Sequence, residues 1–196
     1  MEIVIEVAFS GGHLYVDDFL IYNAPCSTDG IRTPVCPQGS IKRKGLENMM
    51  SCYTFHPEPM TFLAAIQTCK LTWPGATLLQ IETADEQAFI ANIINKTISM
   101  SNAADFGIWT GGNDVDTEHT FVWNGPTHPI AFNYTHWHPG QPNNIGGDQD
   151  CVLIQYKSSN YEWGDVNCNE KHSFICEMNY DVRHQPSHQY PSGVIG

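Results

Sequence analysis

The residues in this sequence best equipped for chemistry are seven cysteines: Cys26, Cys36, Cys52, Cys69, Cys151, Cys168 and Cys176. None lies in a Cys-x-x-Cys pair, so half-cystines joined in an oxidising compartment fit better than a cytosolic zinc or redox site. A zinc module drawn from Cys151, Cys168, His172 and Cys176 is the rival for these thiols, and it leaves Cys69 without a role. His136-Trp137-His138 offers two imidazoles, a ligand type that suits zinc or copper, but two histidines do not complete a site. No Ser, His and Asp arrangement stands out for nucleophilic catalysis. The expectation is a protein that binds, not an enzyme.

Charge narrows the partners. The chain carries 21 acidic and 9 basic residues, a net charge of −12, and its cations cluster only at Lys42-Arg43-Lys44. A nucleic acid would be repelled. The surplus of carboxylates is compatible with divalent cations, or with nothing more than a soluble acidic surface. The sequons Asn95-Lys96-Thr97 and Asn133-Tyr134-Thr135 mark Asn95 and Asn133 as glycosylation acceptors and point, with the cysteines, to secretion. The opening Met1-Glu-Ile-Val-Ile-Glu lacks the form of a signal peptide, and no later run is long enough to cross a bilayer. Membrane insertion is therefore not expected. The first residue is expected not to be the native start, as in the ectodomain of a larger protein or a chain whose signal was removed.

Composition supplies what is needed to position these groups: 41% apolar residues, with five Trp, eight Tyr and nine Phe, suffice for a core. Ile3 to Tyr22 reads as a β-hairpin around Ser10-Gly11-Gly12, and the Pro and Gly of Asn23 to Ser40 read as a linker. Cys36-Pro-Gln-Gly and Ser51-Cys52-Tyr53-Thr54-Phe55 read as two short strands flanking a basic loop. Glu58 to Lys70 places Met60, Phe62, Leu63, Ile66 and Cys69 near helical spacing. Thr83-Ala-Asp-Glu86 has the form of a capping box opening a second helix, with Phe89, Ile90, Ile93 and Ile94 on its apolar face. Beyond residue 105 come short strands at Ile108-Trp109, Phe121 to Trp123, Cys151 to Tyr156, Tyr161 to Trp163 and Phe174 to Glu177. Helices first and strands later indicate α+β. Between Asn124 and Asp150 runs a long Pro/Gly/Asn/His-rich loop, a length associated with function. Asp181 to Gly196 reads as a mobile polar tail.

In order along the chain, Cys36-Pro-x-Gly, Ser51-Cys52-Tyr53, a helix ending at Cys69, Trp109-Thr110-Gly111-Gly112, Gln141-Pro142-Asn143-Asn144, Asp150-Cys151-Val152, Trp163-Gly164-Asp165 with Cys168, and Phe174-Ile175-Cys176-Glu177 resemble the C-type lectin-like domain. The resemblance covers residues 36–178, leaving 1–35 as hairpin and linker and 179–196 as tail. Gly12 to Cys26 is weakly similar to the last strand of a MAM-type β-sandwich. The family resemblance implies two helices, antiparallel sheets and a long irregular binding loop. It also implies three disulfides: Cys36 with Cys52, Cys69 with Cys176, and Cys151 with Cys168. Trp109, Gly111 and Gly112 are core and turn residues in that pattern.

The resemblance also implies a site. In lectin members a loop-bound calcium ion is chelated by two neighbouring sugar hydroxyls, and the matching residues here are Gln141, Asn143, Gln149 and Asp165, around a cis Pro142. Two positions depart from the pattern: Gln149 stands where a glutamate is usual, and Gly164 where an asparagine is usual. Asp165 is then the single formal charge among three amides, so calcium binding is expected to be weak. Asp148 beside Gln149 is a substitute if the loop shifts. A second, structural calcium site is implied at Asp114, Glu118, Asn144 and Asp150. Gln141-Pro142-Asn143 matches neither the Glu-Pro-Asn triplet of mannose-type sites nor the Gln-Pro-Asp triplet of galactose-type sites. The resulting expectation is an extracellular, weakly calcium-dependent lectin module for glycans or glycoproteins; the alternative is the same fold binding protein without calcium.

Overall fold

The computed structural model describes residues 36–45, 49–98, 107–156 and 161–181. The expected hairpin, its MAM-like strand, Cys26 and the tail beyond Asp181 lie outside the described residues.

Two strands open the domain. Ile41–Lys44 (β1) pairs antiparallel with the first part of Met49–Met60 (β2), so the basic triplet taken for a loop is itself a strand, while Cys36-Pro-Gln-Gly forms the turn before it. The first helix, Phe62–Thr72 (α1), begins four residues later than the apolar spacing suggests. Pro57 and Pro59 account for the difference: each biases the residue before it toward extended backbone, and β2 runs on through Met60. Thr77–Leu78 (β3) then leads to Ala84–Ile98 (α2), which starts where the capping box places it. Glu86 N donates to Thr83 Oγ1 at 3.2 Å, and the Glu86 carboxylate reaches back to accept from Glu82 N at 3.1 Å.

The remaining strands are Ile108–Asn113 (β4), Val122–Trp123 (β5), Ile130–Ala131 (β6), Cys151–Tyr156 (β7), Glu162–Val166 (β8) and His172–Asp181 (β9). Along the main path the order is β1-β2-β9-β4-β5-β6; β3 also pairs with β9, and β7 pairs with β4 and β8. The arrangement is α+β, but the sheet is mixed rather than purely antiparallel, because Ile108 and Trp109 run parallel to Ser173 and Phe174.

Disulfides join Cys36 to Cys52, Cys69 to Cys176 and Cys151 to Cys168, as the resemblance implies, which removes the zinc alternative. They tie the entry turn to β2, α1 to β9, and β7 to the segment after β8. Trp109 is fully buried, its indole N–H donating to Met60 O at 2.8 Å and its ring edge-on to Phe62. A Cβ on Gly112 would stand 2.7 Å from Phe132 Cζ and 3.0 Å from Val152 Cβ, so only glycine lets these layers meet.

α2 anchors the strand that carries the candidate site. Gln87 accepts from Trp163 Nε1 at 3.0 Å and donates to Tyr161 O at 3.1 Å, fixing both ends of the turn into β8. Trp163 is fully buried among Trp123, Phe132, Tyr134 and Trp137, with ring centroids 5.6 to 6.0 Å away.

Candidate cation and ligand loop

The long loop is stitched onto β8 on its way to the site. His138 N donates to Trp163 O at 2.9 Å and Trp163 N to His136 O at 2.8 Å; Gln141 N then closes a turn on His138 O at 2.8 Å. The Gln141–Pro142 peptide bond is cis. Just beyond it, Asn143 N lies 3.0 Å from both oxygens of Asp165, and Asn144 N lies 2.6 Å from Asp165 Oδ2. Asp165, 1% exposed on β8, thus holds the loop backbone from beneath with charge-assisted bonds.

The other acceptors fold over the same segment. Asn143 Oδ1 and Gln149 Oε1 both accept from Ile145 N, at 3.3 and 2.6 Å, across the short 3₁₀ turn Ile145–Gly147. Gln149 N in turn donates to Asn144 Oδ1 at 3.0 Å. Asn143, Gln149 and Asp165 are therefore brought together around residues 143–145. The amide carbon of Gln141 lies 3.2 Å from the point where a Cβ on Gly164 would stand. Asp148 is engaged elsewhere, accepting from Asn167 Nδ2 at 2.6 Å.

The second group of residues forms an acidic corner. Asp114 is 3% exposed at the end of β4; its Oδ2 accepts from His119 N at 2.8 Å, while its Oδ1 is buried with no hydrogen-bond partner. Burial pushes its carboxyl above the usual carboxylate range, and the charges of Glu118 and Asp150 push it further, against the opposing His119 N–H. Asp114, Glu118 and His119 present ligand atoms within 4.8 Å of one another. Asn144 closes this corner with its NH₂, which donates to Glu118 Oε1 at 2.8 Å, so one asparagine links the corner to the main loop.

The histidine pair separates. His138 Nδ1 lies 2.7 Å from Glu162 Oε2, and His136 stacks on Tyr134. Trp137 is half-buried and packs edge-on to Phe121 and Trp163. The sequon residues Asn95 and Asn133 are both exposed, and Asn95 Oδ1 accepts a hydrogen bond from Tyr161 Oη at 3.3 Å.

Sequence reasoning missed Gln155. The β7–β8 ladder slips between Ile154 and Tyr156, and the Gln155 amide nitrogen occupies the volume that a side chain on Gly164 would need. The signal was negative: a glycine beside a buried aspartate leaves a space that some neighbour must fill.

A stapled α+β scaffold carrying a long cis-proline loop over a buried aspartate is a C-type lectin-like fold. The model of the lectin C-type domain matches residues 58–178, and the chain belongs to that family. It is similar to Perlucin of Haliotis laevigata, with 32% identity over 131 residues, 67% of this chain and 78% of the relative. Among solved structures, it resembles the cow C-type carbohydrate-recognition domain of CD23, determined in the presence of GlcNAc2Man3 oligosaccharide. That match has 26% identity and a TM-score of 0.56, covering 73% of this chain and 95% of that one. A calcium-independent type II antifreeze protein matches with 26% identity and a TM-score of 0.56, over 73% of this chain and 93% of its own. Among the described residues, no helix is long and apolar enough to cross a membrane.

Proposed function

We propose that this is an extracellular lectin module that binds glycans or glycoproteins through a weak calcium site in the 141–149 loop. The observation that carries the reading is the gathering of Asn143 Oδ1, Gln149 Oε1 and the Asp165 carboxylate about one stretch of backbone. An all-oxygen set of amides and carboxylate suits a hard cation. Gln141, Asn143, Gln149 and Asp165 would hold the ion, which supplies a positive centre for sugar hydroxyls. The amide NH₂ groups of Gln141 and Asn143 then donate to the sugar, and Asp165 accepts. With one formal charge, the site belongs at the weak end, about 10⁻⁴ to 10⁻³ M for calcium.

At the acidic corner, the partnerless buried Oδ1 of Asp114 and the mutual repulsion of Asp114, Glu118 and Asp150 are what a structural cation would relieve. Asn144 would join this second calcium site by turning its amide oxygen toward Glu118. The disulfides, together with exposed Asn95 and Asn133 as glycan acceptors, support an extracellular setting. The membership of the lectin C-type family and the polar groups gathered on one loop support binding as the role of this scaffold.

A second reading keeps the fold and dispenses with calcium for protein binding. It is favoured by the closure of the loop on itself: Asp165 and Gln149 already accept from backbone N–H groups. A glycan array run with calcium and again with chelator decides between them. Binding that needs calcium and is lost in Asp165→Asn supports the lectin reading, and binding equal in chelator overturns it.

A further inference from the structure

The least expected side chain against Gly164, the residue before Asp165, comes from the neighbouring strand. On β8, Asp165 is preceded by Gly164, which has no side chain to offer. Ladder partners run Val152 to Asp165, Leu153 to Gly164 and Ile154 to Trp163, and then Tyr156 instead of Gln155 meets Glu162. The extra residue on β7 is a β-bulge, a device that re-aims a side chain relative to the regular pleat. Its effect here is specific: the Gln155 amide sits against Gly164, overlapping the place of a Cβ there, and the Gln141 amide nitrogen lies 3.2 Å from that same point. Two amides from different segments thus fill the space that Gly164, the residue before Asp165 on β8, leaves empty.

We infer that Gln155 is a ligand-binding residue of this loop, supplying through the β7 bulge the amide that Gly164 lacks. This rests on the calcium reading above. A half-turn about the last side-chain torsion exchanges oxygen for nitrogen at little cost, so the same amide presents Oε1 to a cation and NH₂ to a sugar hydroxyl. Gln155 is half-buried, which leaves it supported by packing yet accessible to a ligand. The pairing also couples residues 155 and 164: a side chain at 164 needs the volume that the end of Gln155 now fills, so the glutamine amide has to move aside for it.

The test is calcium titration calorimetry on the full chain carrying Asp114→Asn, which silences the acidic corner while keeping an acceptor for His119 N. In that background, Gln155→Leu is expected to weaken calcium binding at least fivefold, and Gln155→Glu to strengthen it about tenfold. Gly164→Asn alone should bind no better than its parent, because the new amide displaces that of Gln155 and takes over its place. Gly164→Asn with Gln155→Ala should recover parental affinity or exceed it. That restoration is a readout that misfolding cannot mimic. Asp165→Asn separates the two levels of inference. If it abolishes binding while all the Gln155 variants titrate like the parent, the role of Gln155 is overturned and the loop site stands. If Asp165→Asn binds calcium as the parent does, or the parent binds none, both fall.

Discussion

Glu177 is the most consequential titratable group away from the loop. It is fully buried on β9, opposite Tyr53 of β2, where it accepts from Gln80 N and Asn179 Nδ2 at 2.9 Å each. Neutral dipoles are its only described hydrogen-bond partners. Glu86 nearby is better compensated, with Tyr53 Oη donating at 2.6 Å and the Arg43 guanidinium forming an ion pair at 3.7 Å. Burial, then the Glu86 charge, push the Glu177 carboxyl up from 4.5 to about 8. The same burial and carboxylates keep the Tyr53 phenol protonated as the donor to Glu86. A carboxyl displaced from 4.5 to about 8 represents about 5 kcal/mol between its protonation states, and coupling to Glu86 reduces the share of Glu177 to about 2–4 kcal/mol. Between those pH values the folded chain keeps a proton that the unfolded chain has released. This group's contribution is therefore fully present below pH 4.5, declines as pH rises, and is lost above about pH 8. Urea unfolding of the parent and Glu177→Gln at pH 5, 7 and 9 reads the effect. Glutamine keeps the shape without the charge, and a flip of Asn179, with the Ser51 hydroxyl turning to accept, accommodates its NH₂. The parent should lose about 2–4 kcal/mol relative to the variant from pH 5 to 9. A constant difference across that range would refute the reasoning.

Other expectations are more direct. Replacing Cys69 and Cys176 together by alanine reopens a 107-residue separation and should cost about 4–5 kcal/mol in urea unfolding. Gly112→Ala must displace Phe132 or Val152 and should lower stability by about 1–3 kcal/mol, read as a fall in Tm. Gln149→Glu keeps the acceptor for Ile145 N and adds a charge beside Asp165; calorimetry should show about a tenfold gain in calcium affinity. Deleting residues 1–30 should leave Tm nearly unchanged, since Cys36 begins the stapled scaffold.

What could be read beforehand followed the range of each interaction. Local signals were dependable: the Thr83 capping box set the start of α2, and Cys36, Trp109 and Cys176 set the scaffold. Where two local signals competed, apolar spacing over 58–70 lost to the extended bias before Pro57 and Pro59. The basic triplet 42–44 became a strand because Met50 to Cys52 offered it a partner, a non-local event that composition does not encode. In the loop, residue types at 141, 143, 149 and 165 were legible, but not their hydrogen bonds to Ile145 and Asn144. Nor was it legible that Asn167, nineteen positions away, donates to the Asp148 carboxylate. Gln155 was invisible because a bulge depends on the register of two strands, and register appears only once they pair.

The seating of β2 against β9 has a consequence for how such a domain is deployed. Met49 lies opposite Asp181, and the Cys36 sulfur stands 3.9 Å from the Tyr180 hydroxyl, so the polypeptide enters and leaves the domain at neighbouring points. A unit with adjoining entrance and exit behaves as a bead on a thread: it can be spliced into a host polypeptide, duplicated or removed while the host path shifts by only a few ångströms. Spacing between successive beads would then be set by connector length alone, and a weak individual site could be amplified by placing several copies on one strand.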